Sequence, residues 1–198
     1  MNDVAPSHKR DWGKGGTLLV IAVVLLALPD RFTLGGPIVS YSIGLIFAAT
    51  CVSSFVTTAI GAQKWANGVM KVGVFVLAVS ILASVVQVLV IMFGGSAING
   101  VALLETALSI WVSNVAIFAM LYHTIGEREF LFPHRDGDPP AQYVFLDYLF
   151  LSFTTATAFS PTDTAPLSTR TRMMIMVESA ISLMMIALAA ARAVNILT

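Results

Sequence analysis

Five long runs of apolar residues, separated by shorter polar segments, dominate this sequence. They cover residues 12–28, 37–62, 69–93, 101–122 and 173–197. A helix needs about 20 mostly apolar residues to cross a bilayer, so these runs predict transmembrane helices. The first run is the shortest, and LLALPDRF at its end has no small-x-small cleavage site. We therefore expect a retained first span rather than a cleaved signal peptide.

The segment at residues 143–159, YVFLDYLFLSFTTATAF, is apolar and aromatic at first and rich in hydroxyl groups at its end. It is about one turn short of a full span. Pro161 ends any helix there because proline has no backbone N–H, and it favours extended backbone at Ser160. One interpretation is a re-entrant helix whose return strand is buried in protein or lines a wet cavity. The other is a sixth span followed by an ordinary loop at residues 160–172.

The polar segment at residues 123–142 is rich in charge, glycine and proline, which predicts a solvated loop. The sequence has no internal repeat and no low-complexity tract. We therefore expect residues 1–198 to form one all-α, polytopic membrane domain with about five spans and the re-entrant segment. Residues 1–99 form its three-helix part, and residues 100–198 contain the re-entrant segment between two spans.

Composition supports a membrane protein. The chain is 57% hydrophobic and 11% charged, whereas about a quarter of the residues in soluble domains are charged. A soluble chain of this size could not bury so much apolar surface. The formal net charge is zero, which gives no indication of a nucleic-acid partner. The lipid bilayer of the cell (inner) membrane is the expected partner and location.

The distribution of Lys and Arg predicts the orientation, because these residues favour the cytoplasmic side. The N-terminal tail and the loops after the second and fourth runs carry Lys9, Arg10, Lys14, Lys64, Lys71, Arg128 and Arg135, whereas the opposing loops carry only Arg31. We expect the N-terminus and residues 123–142 to lie inside. A re-entrant segment then enters from the cytoplasm and leaves the C-terminus outside. A sixth span instead puts the C-terminus inside, with Arg170 and Arg172 outside.

Thr154, Thr155 and Thr157 lie where the helix of residues 143–159 ends. The C-terminal end of a helix carries about half a negative charge, which favours cations. Hydroxyl and carbonyl oxygens there could replace the water that an ion loses, as in a cation filter. One copy cannot form a ring, so this hypothesis requires a homo-oligomer. The alternative is that each threonine bonds a neighbouring helix or its own backbone.

The last quarter of the chain, DYLFLSFTTATAFSPTDTAPLSTRTRMMIMVESAISLMMIALAAARAVNIL, resembles the pore module of small two-helix potassium channels. Those modules contain a Thr-rich pore helix, a T-V-G-Y-G-D filter, a turn with proline and an inner helix. The resemblance implies a tetramer that conducts monovalent cations, with no other cofactor, and it places Pro166 near the turn proline and Glu178 in the inner helix. The implied pore and filter residues are Thr154, Thr155, Thr157, Ala158, Phe159, Ser160, Pro161, Thr162 and Asp163.

The sequence departs from that pattern at the filter. A potassium filter needs glycines, because its alternating carbonyls require backbone angles that other residues avoid. Phe159, Ser160 and Pro161 occupy the matching positions, and no glycine follows Asp138. We therefore expect a hydroxyl-lined or non-conducting loop rather than a standard potassium-selective filter.

Most of the chain is also similar to a group of bacterial, largely actinobacterial, integral membrane proteins. The similarity rests on LPDRFTLG after the first run, WVSNVAIFA in the fourth, FLFP in the following loop, and then ATAFSPTD and AARAVNIL. Members of that group are described as ion-channel-like, which is the function that this resemblance implies.

Glu178 is the strongest polar candidate outside the loop. A carboxylate within a span costs about 2.5–3.5 kcal/mol on insertion scales, so such a residue is a functional candidate. The alternative is an interfacial ion pair with Arg170 or Arg172. Asp147 could face the positive end of a helix dipole.

No metal site is expected, since the spacing of His123, His134, Asp136 and Asp138 matches none. No nucleophile–base pair or phosphate-binding loop indicates an enzyme. Three functions therefore stay open: an ion-channel-like cation pore, a non-conducting scaffold or partner-binding protein with a plugged loop, and a small proton-coupled transporter that uses Glu178.

Overall fold

The computed structural model describes residues 63–93, 100–133, 143–157 and 164–197, and these are mostly helical. The helices are α1 (Gln63–Phe93), α2 (Gly100–Ile125), α3 (Phe145–Thr157) and α4 (Thr169–Leu197), and the strands are β1 (Phe130–Leu131) and β2 (Ala165–Pro166). Three of these helices, α1, α2 and α4, are long and apolar enough to cross a membrane. The all-α class and the membrane helices are thus confirmed for this part of the chain. The predicted spans at residues 12–28 and 37–62 lie outside the described residues.

Helix α1 is apolar on every side, as is typical of a membrane helix. Its buried stripe has the three- and four-residue spacing of one helix face and consists of Val74, Leu77, Ile81, Val85 and Val88. The stripe packs against α2. Phe75, Leu82 and Val90 on the other faces are exposed, which suits a helix surrounded by lipid.

Helices α1 and α2 form an antiparallel pair. Only residues 94–99 connect Phe93 to Gly100. The seven Cα-to-Cα intervals from Phe93 to Gly100 cover at most about 25 Å when fully extended, whereas α1 is about 46 Å long at 1.5 Å per residue. Because so short a connection cannot return along the whole of α1, the start of α1 lies at the end of the bundle where α2 finishes.

Helix α4 packs antiparallel to α2 as well. Tyr122, near the end of α2, bonds Glu178 in the third turn of α4, and Asn114 bonds Ser182 one turn further along α4. Helix α2 thus contacts α1, α3 and α4, and every residue from 113 to 120 is buried. It is the central helix of the described bundle.

Helix α3 lies beside the second half of α2 and runs in the opposite direction. Its first turns face the end of α2, where the rings of His123 and Tyr148 are 5.1 Å apart. Its last turn reaches Trp111, near the middle of α2, whose Nε1 donates a hydrogen bond to the carbonyl of Ala156 at 3.4 Å. The 13 residues of α3 are about 20 Å long, compared with about 30 Å for the hydrocarbon core of a bilayer.

The start of α3 is capped by its own sequence. The Asp147 carboxylate accepts a hydrogen bond from the Val144 backbone N–H at 2.7 Å. This contact is half of a capping box, and it places a negative charge at the positive end of the helix dipole. The interpretation of Asp147 as an N-terminal helix charge agrees with this geometry.

A two-stranded antiparallel sheet joins the end of α2 to the start of α4. Gly126, at φ 96°, follows α2, and its N–H donates to the carbonyl of Tyr122 at 3.1 Å. Glycine adopts such a backbone angle without strain and commonly ends helices. Strand β1 then pairs antiparallel with β2, and the Leu167 N–H donates to the Glu129 carbonyl at 2.9 Å. This two-stranded sheet holds the start of α4 beside the end of α2.

The loop predicted to be solvated at residues 123–142 is partly buried, so that prediction was wrong at Phe130 and Phe132. Phe130 and Phe132 are 4% and 7% exposed. The ring of Phe132 stacks on Tyr143 with centroids 4.2 Å apart. Charged and glycine residues dominate the composition here, but the two phenylalanines between them turn inward, whereas Leu131 is exposed. Residues 134–142 lie outside the described part.

Helix α4 begins at Thr169, four residues before the apolar run expected to define it. The Ser168 hydroxyl accepts a hydrogen bond from the Thr171 N–H at 3.3 Å and so caps the first turn. The sixth-span interpretation places Arg170 and Arg172 in a loop at residues 160–172. They lie instead in the first turn of a helix.

Candidate functional site

Glu178 lies where three helices meet. Its side chain is fully buried. The phenol of Tyr122, on α2, donates a hydrogen bond to Oε2 at 2.5 Å. The hydroxyl of Ser152, on α3, forms a hydrogen bond with Oε1. The carboxyl group of this α4 residue is therefore hydrogen-bonded to both the central helix α2 and the short helix α3.

Further buried polar groups surround this carboxyl. The Ser152 hydroxyl is also 2.7 Å from the Val115 carbonyl oxygen. The Asn114 amide donates to the Glu178 carbonyl at 3.2 Å and to the Ser182 hydroxyl at 2.8 Å. We call the set Asn114, Tyr122, Ser152, Glu178 and Ser182 the Glu178 cluster. All its members are essentially inaccessible to solvent, so their mutual hydrogen bonds offset the cost of burying polar groups.

The interpretation of Glu178 as an interfacial partner of Arg170 or Arg172 was wrong. Both arginines are exposed in the first turn of α4, about two turns before Glu178. The hydrogen bonds of Glu178 come from two hydroxyl groups instead. That Glu178 is functional stays a prediction.

A cluster of aromatic rings closes the same end of the bundle. The ring centroids of Phe130 and Tyr122 are 5.3 Å apart, and those of Phe132 and Tyr148 are 5.2 Å apart. Both pairs are edge-to-face. Burial raises the pKa of the Tyr148 phenol to about 12. The rings hold the start of α3 next to β1.

The threonines predicted to line a pore lie in the second half of α3. The Thr154 hydroxyl donates to the Phe150 carbonyl at 2.8 Å, and the Thr157 hydroxyl donates to the Phe153 carbonyl at 2.9 Å. Thr155 is partly exposed in the same turn. The structure does not bring these three residues into hydrogen-bond contact with Glu178. The other predicted pore residues, Ala158, Phe159, Ser160, Pro161, Thr162 and Asp163, lie outside the described part.

Trp111 holds the end of α3. Besides its hydrogen bond to Ala156, its ring lies 6.0 Å from that of Phe153 in an edge-to-face arrangement. The last four carbonyls of a helix have no partner within the helix, so the indole satisfies one of them. Trp111 also borders an apolar groove of about 400 Å³ between α2 and α4, together with Leu104, Met185 and Ala189.

Sequence reasoning missed Tyr122, Ser152, Asn114 and Trp111. Each lies within a largely apolar segment, and its polar group is the local signal that the sequence gives. Glu178, the common partner of Tyr122, Ser152 and Asn114, is 26 to 64 residues away from them. The partner of Trp111 is Ala156, 45 residues away. Among the residues that the structure describes, no group of three or more His, Cys, Asp or Glu side chains could hold a metal ion.

Three comparisons with known proteins add no relative. No family model, no curated protein and no solved structure matches this chain.

Proposed function

We propose that this chain is the subunit of an ion-channel-like membrane protein that conducts cations through an oligomeric pore. In this proposal α2, α3 and α4 form one pore module, and the Thr- and Ser-rich segment at residues 154–163 borders the ion path. One observation carries the proposal: α3 is a half-length helix held between two long apolar helices, and the segments on both sides of it meet at one end of the bundle.

The two flanking segments are joined by side-chain and backbone contacts. Before α3, the ring of Tyr143 stacks on Phe132, directly after β1. After α3, strand β2 pairs with β1 itself. A sixth span would separate these segments by the thickness of the bilayer, about 30 Å. The contacts thus support a re-entrant α3, with five spans in total when the two predicted N-terminal ones are included.

The end of α3 has the chemistry that a cation requires. It lies beside Trp111, near the middle of α2, and so at mid-depth in the proposed membrane arrangement. The C-terminal dipole end is partly negative. The hydroxyls of Thr154 and Thr157 donate their hydrogens to their own helix. The hydroxyl oxygens keep lone pairs that can face an ion.

The proposal requires an oligomer, because the C-terminal ends of several α3 helices must surround one axis to form a pore. The resemblance to two-helix potassium channels favours four subunits. Helix α4 exposes large apolar side chains, among them Met173, Met176 and Leu183, each more than 60% exposed. Such a surface is available to lipid or to other copies of the chain.

A second candidate is a non-conducting scaffold or partner-binding protein in which α3 is a fixed plug. The hydrogen bonds of Thr154 and Thr157 to their own backbone favour it, because they are the local bonds that threonine makes in ordinary membrane helices. The Glu178 cluster would then hold the plug.

Planar-bilayer recording of the purified protein separates these candidates. We expect cation current from the wild type and an altered conductance or ion preference from Thr157→Val, which replaces a hydroxyl with a methyl group of similar size. Thr106→Val is the matched control, because Thr106 is buried in α2 and, among the residues that the structure describes, its hydroxyl bonds its own helix, at the Ala102 carbonyl. Absence of current from the wild type in sodium and potassium salts would favour the plug.

A further inference from the structure

Six Lys and Arg residues lie in the part of the chain that the structure describes, and they are distributed unevenly between its two ends. They are Lys64, Lys71, Arg128, Arg170, Arg172 and Arg192. Helix α1 starts, α2 ends and α4 starts at the same end of the bundle, because α1 and α4 both run antiparallel to α2. We call it the sheet end, since β1 and β2 lie there.

Five of the six cationic residues belong to the sheet end. Lys64 lies in the first turn of α1, and Lys71 begins the apolar part of that helix. Arg128 lies in the turn after α2, and Arg170 and Arg172 lie in the first turn of α4. Arg192 is close to the other end of α4. The side chains of Lys71, Arg128, Arg170 and Arg172 are exposed, as solvated or headgroup-bound cations would be.

We infer that the sheet end faces the cytoplasm, so that α3 enters the membrane from the cytoplasmic side and its C-terminal end points outward. Cytoplasmic segments next to spans are enriched in Lys and Arg, and acidic residues contribute little to that bias. Glu127, Glu129 and Asp147 at the same end therefore do not weaken the argument. The inference rests on the proposed re-entrant α3, and it gives this module the opposite orientation to a potassium channel, whose pore loop enters from outside.

The structure adds to the orientation argument what the sequence left open. From the sequence alone, Arg170 and Arg172 could lie on either side, depending on whether residues 143–159 span the membrane. The Leu167 N–H bonds the Glu129 carbonyl, which puts the first turn of α4 beside the turn that carries Arg128. Both arginines thus join the cationic residues already assigned to the cytoplasm.

Labelling of single cysteines with a membrane-impermeant maleimide tests this orientation. Cys51 is the only cysteine, so Cys51→Ser provides the background. Glu127→Cys and Thr169→Cys probe the two sides of α3 at exposed positions and leave every arginine in place. Ser96→Cys, in the connection between α1 and α2, probes the opposite end. Labelling of each detergent-solubilised variant verifies that its thiol reacts.

We expect Ser96→Cys to react in intact spheroplasts, and Glu127→Cys and Thr169→Cys to react only after permeabilisation. The reverse pattern would overturn the orientation and leave the re-entrant α3 intact, since both probes would still share one side. Reaction of Glu127→Cys and Thr169→Cys from opposite sides would show that residues 143–159 cross the membrane. That result would overturn the proposed function together with the inference.

Discussion

The phenol of Tyr122 donates a hydrogen bond to the carboxyl group of Glu178 at 2.5 Å, across the contact between α2 and α4. The other oxygen of that carboxyl bonds Ser152 of α3. Helix α3 has 13 residues, and helices of that length are only marginally stable alone. The position of α3 therefore depends on contacts with its neighbours, and the Glu178 cluster supplies the buried polar ones.

Tyr122→Phe should destabilise the protein by about 1–3 kcal/mol, because it leaves a buried carboxyl oxygen without its donor. The free energy of unfolding in mixed micelles measures this. Tyr148→Phe is the matched control: it removes the same atom from another buried tyrosine, whose recorded contacts are those of its ring. Equal losses from the two substitutions would contradict a specific role for the Tyr122 hydroxyl.

Tyr122→Phe and Ser152→Ala should be non-additive, because both hydroxyls bond the same carboxyl group. Residues in one hydrogen-bond network show coupling energies of about 0.5–3 kcal/mol. A double-mutant cycle on the free energy of unfolding gives this coupling. Additive losses within experimental error would mean that the carboxyl does not link α2 and α3 energetically.

Glu178→Gln should be tolerated far better than Glu178→Ala. Glutamine fills the same space and offers both an acceptor for Tyr122 and a donor for Ser152. Alanine leaves a cavity in a close-packed region, which typically costs about 2–5 kcal/mol for a large side chain. Unfolding measurements on both variants test this order. Normal stability with loss of pH-dependent solute uptake in Glu178→Gln would instead favour the proton-coupled transporter.

Trp111→Phe should loosen the last turn of α3 and little else, since it removes the indole hydrogen bond to Ala156. A neutral hydrogen bond contributes about 0.5–1.5 kcal/mol. Hydrogen exchange should become faster at the end of α3, while the amides of α1 serve as an internal control. Unchanged exchange at the end of α3 would show that its position does not depend on Trp111.

The long helices could be predicted from the sequence because a run of about 20 apolar residues is a strong local signal. Helix α1 was expected at residues 69–93 and extends over Gln63–Phe93. The early start of α4 was also readable, since Ser168 and Thr171 have the spacing of a helix cap. The apolar run begins only at Met173, so hydrophobicity alone places the start of α4 four residues late.

The Glu178 cluster could not be predicted, because its members come from three helices. Periodicity places a residue on one face of its own helix, but it does not say which residue of another helix lies opposite. Tyr122 and Glu178 are 56 positions apart, and nothing local marks them as partners. Glu178 itself was found because a carboxyl group within an apolar run is costly and therefore conspicuous.

The central claim is that the end of α3 borders a pore formed by several copies of this chain. The most direct measurement is the rotational symmetry of the purified particle in lipid nanodiscs, determined by electron microscopy. The account predicts a ring of subunits, four by resemblance, with Thr154, Thr155 and Thr157 of every copy close to the axis. A monomer, or a ring in which the end of α3 faces lipid, would contradict it.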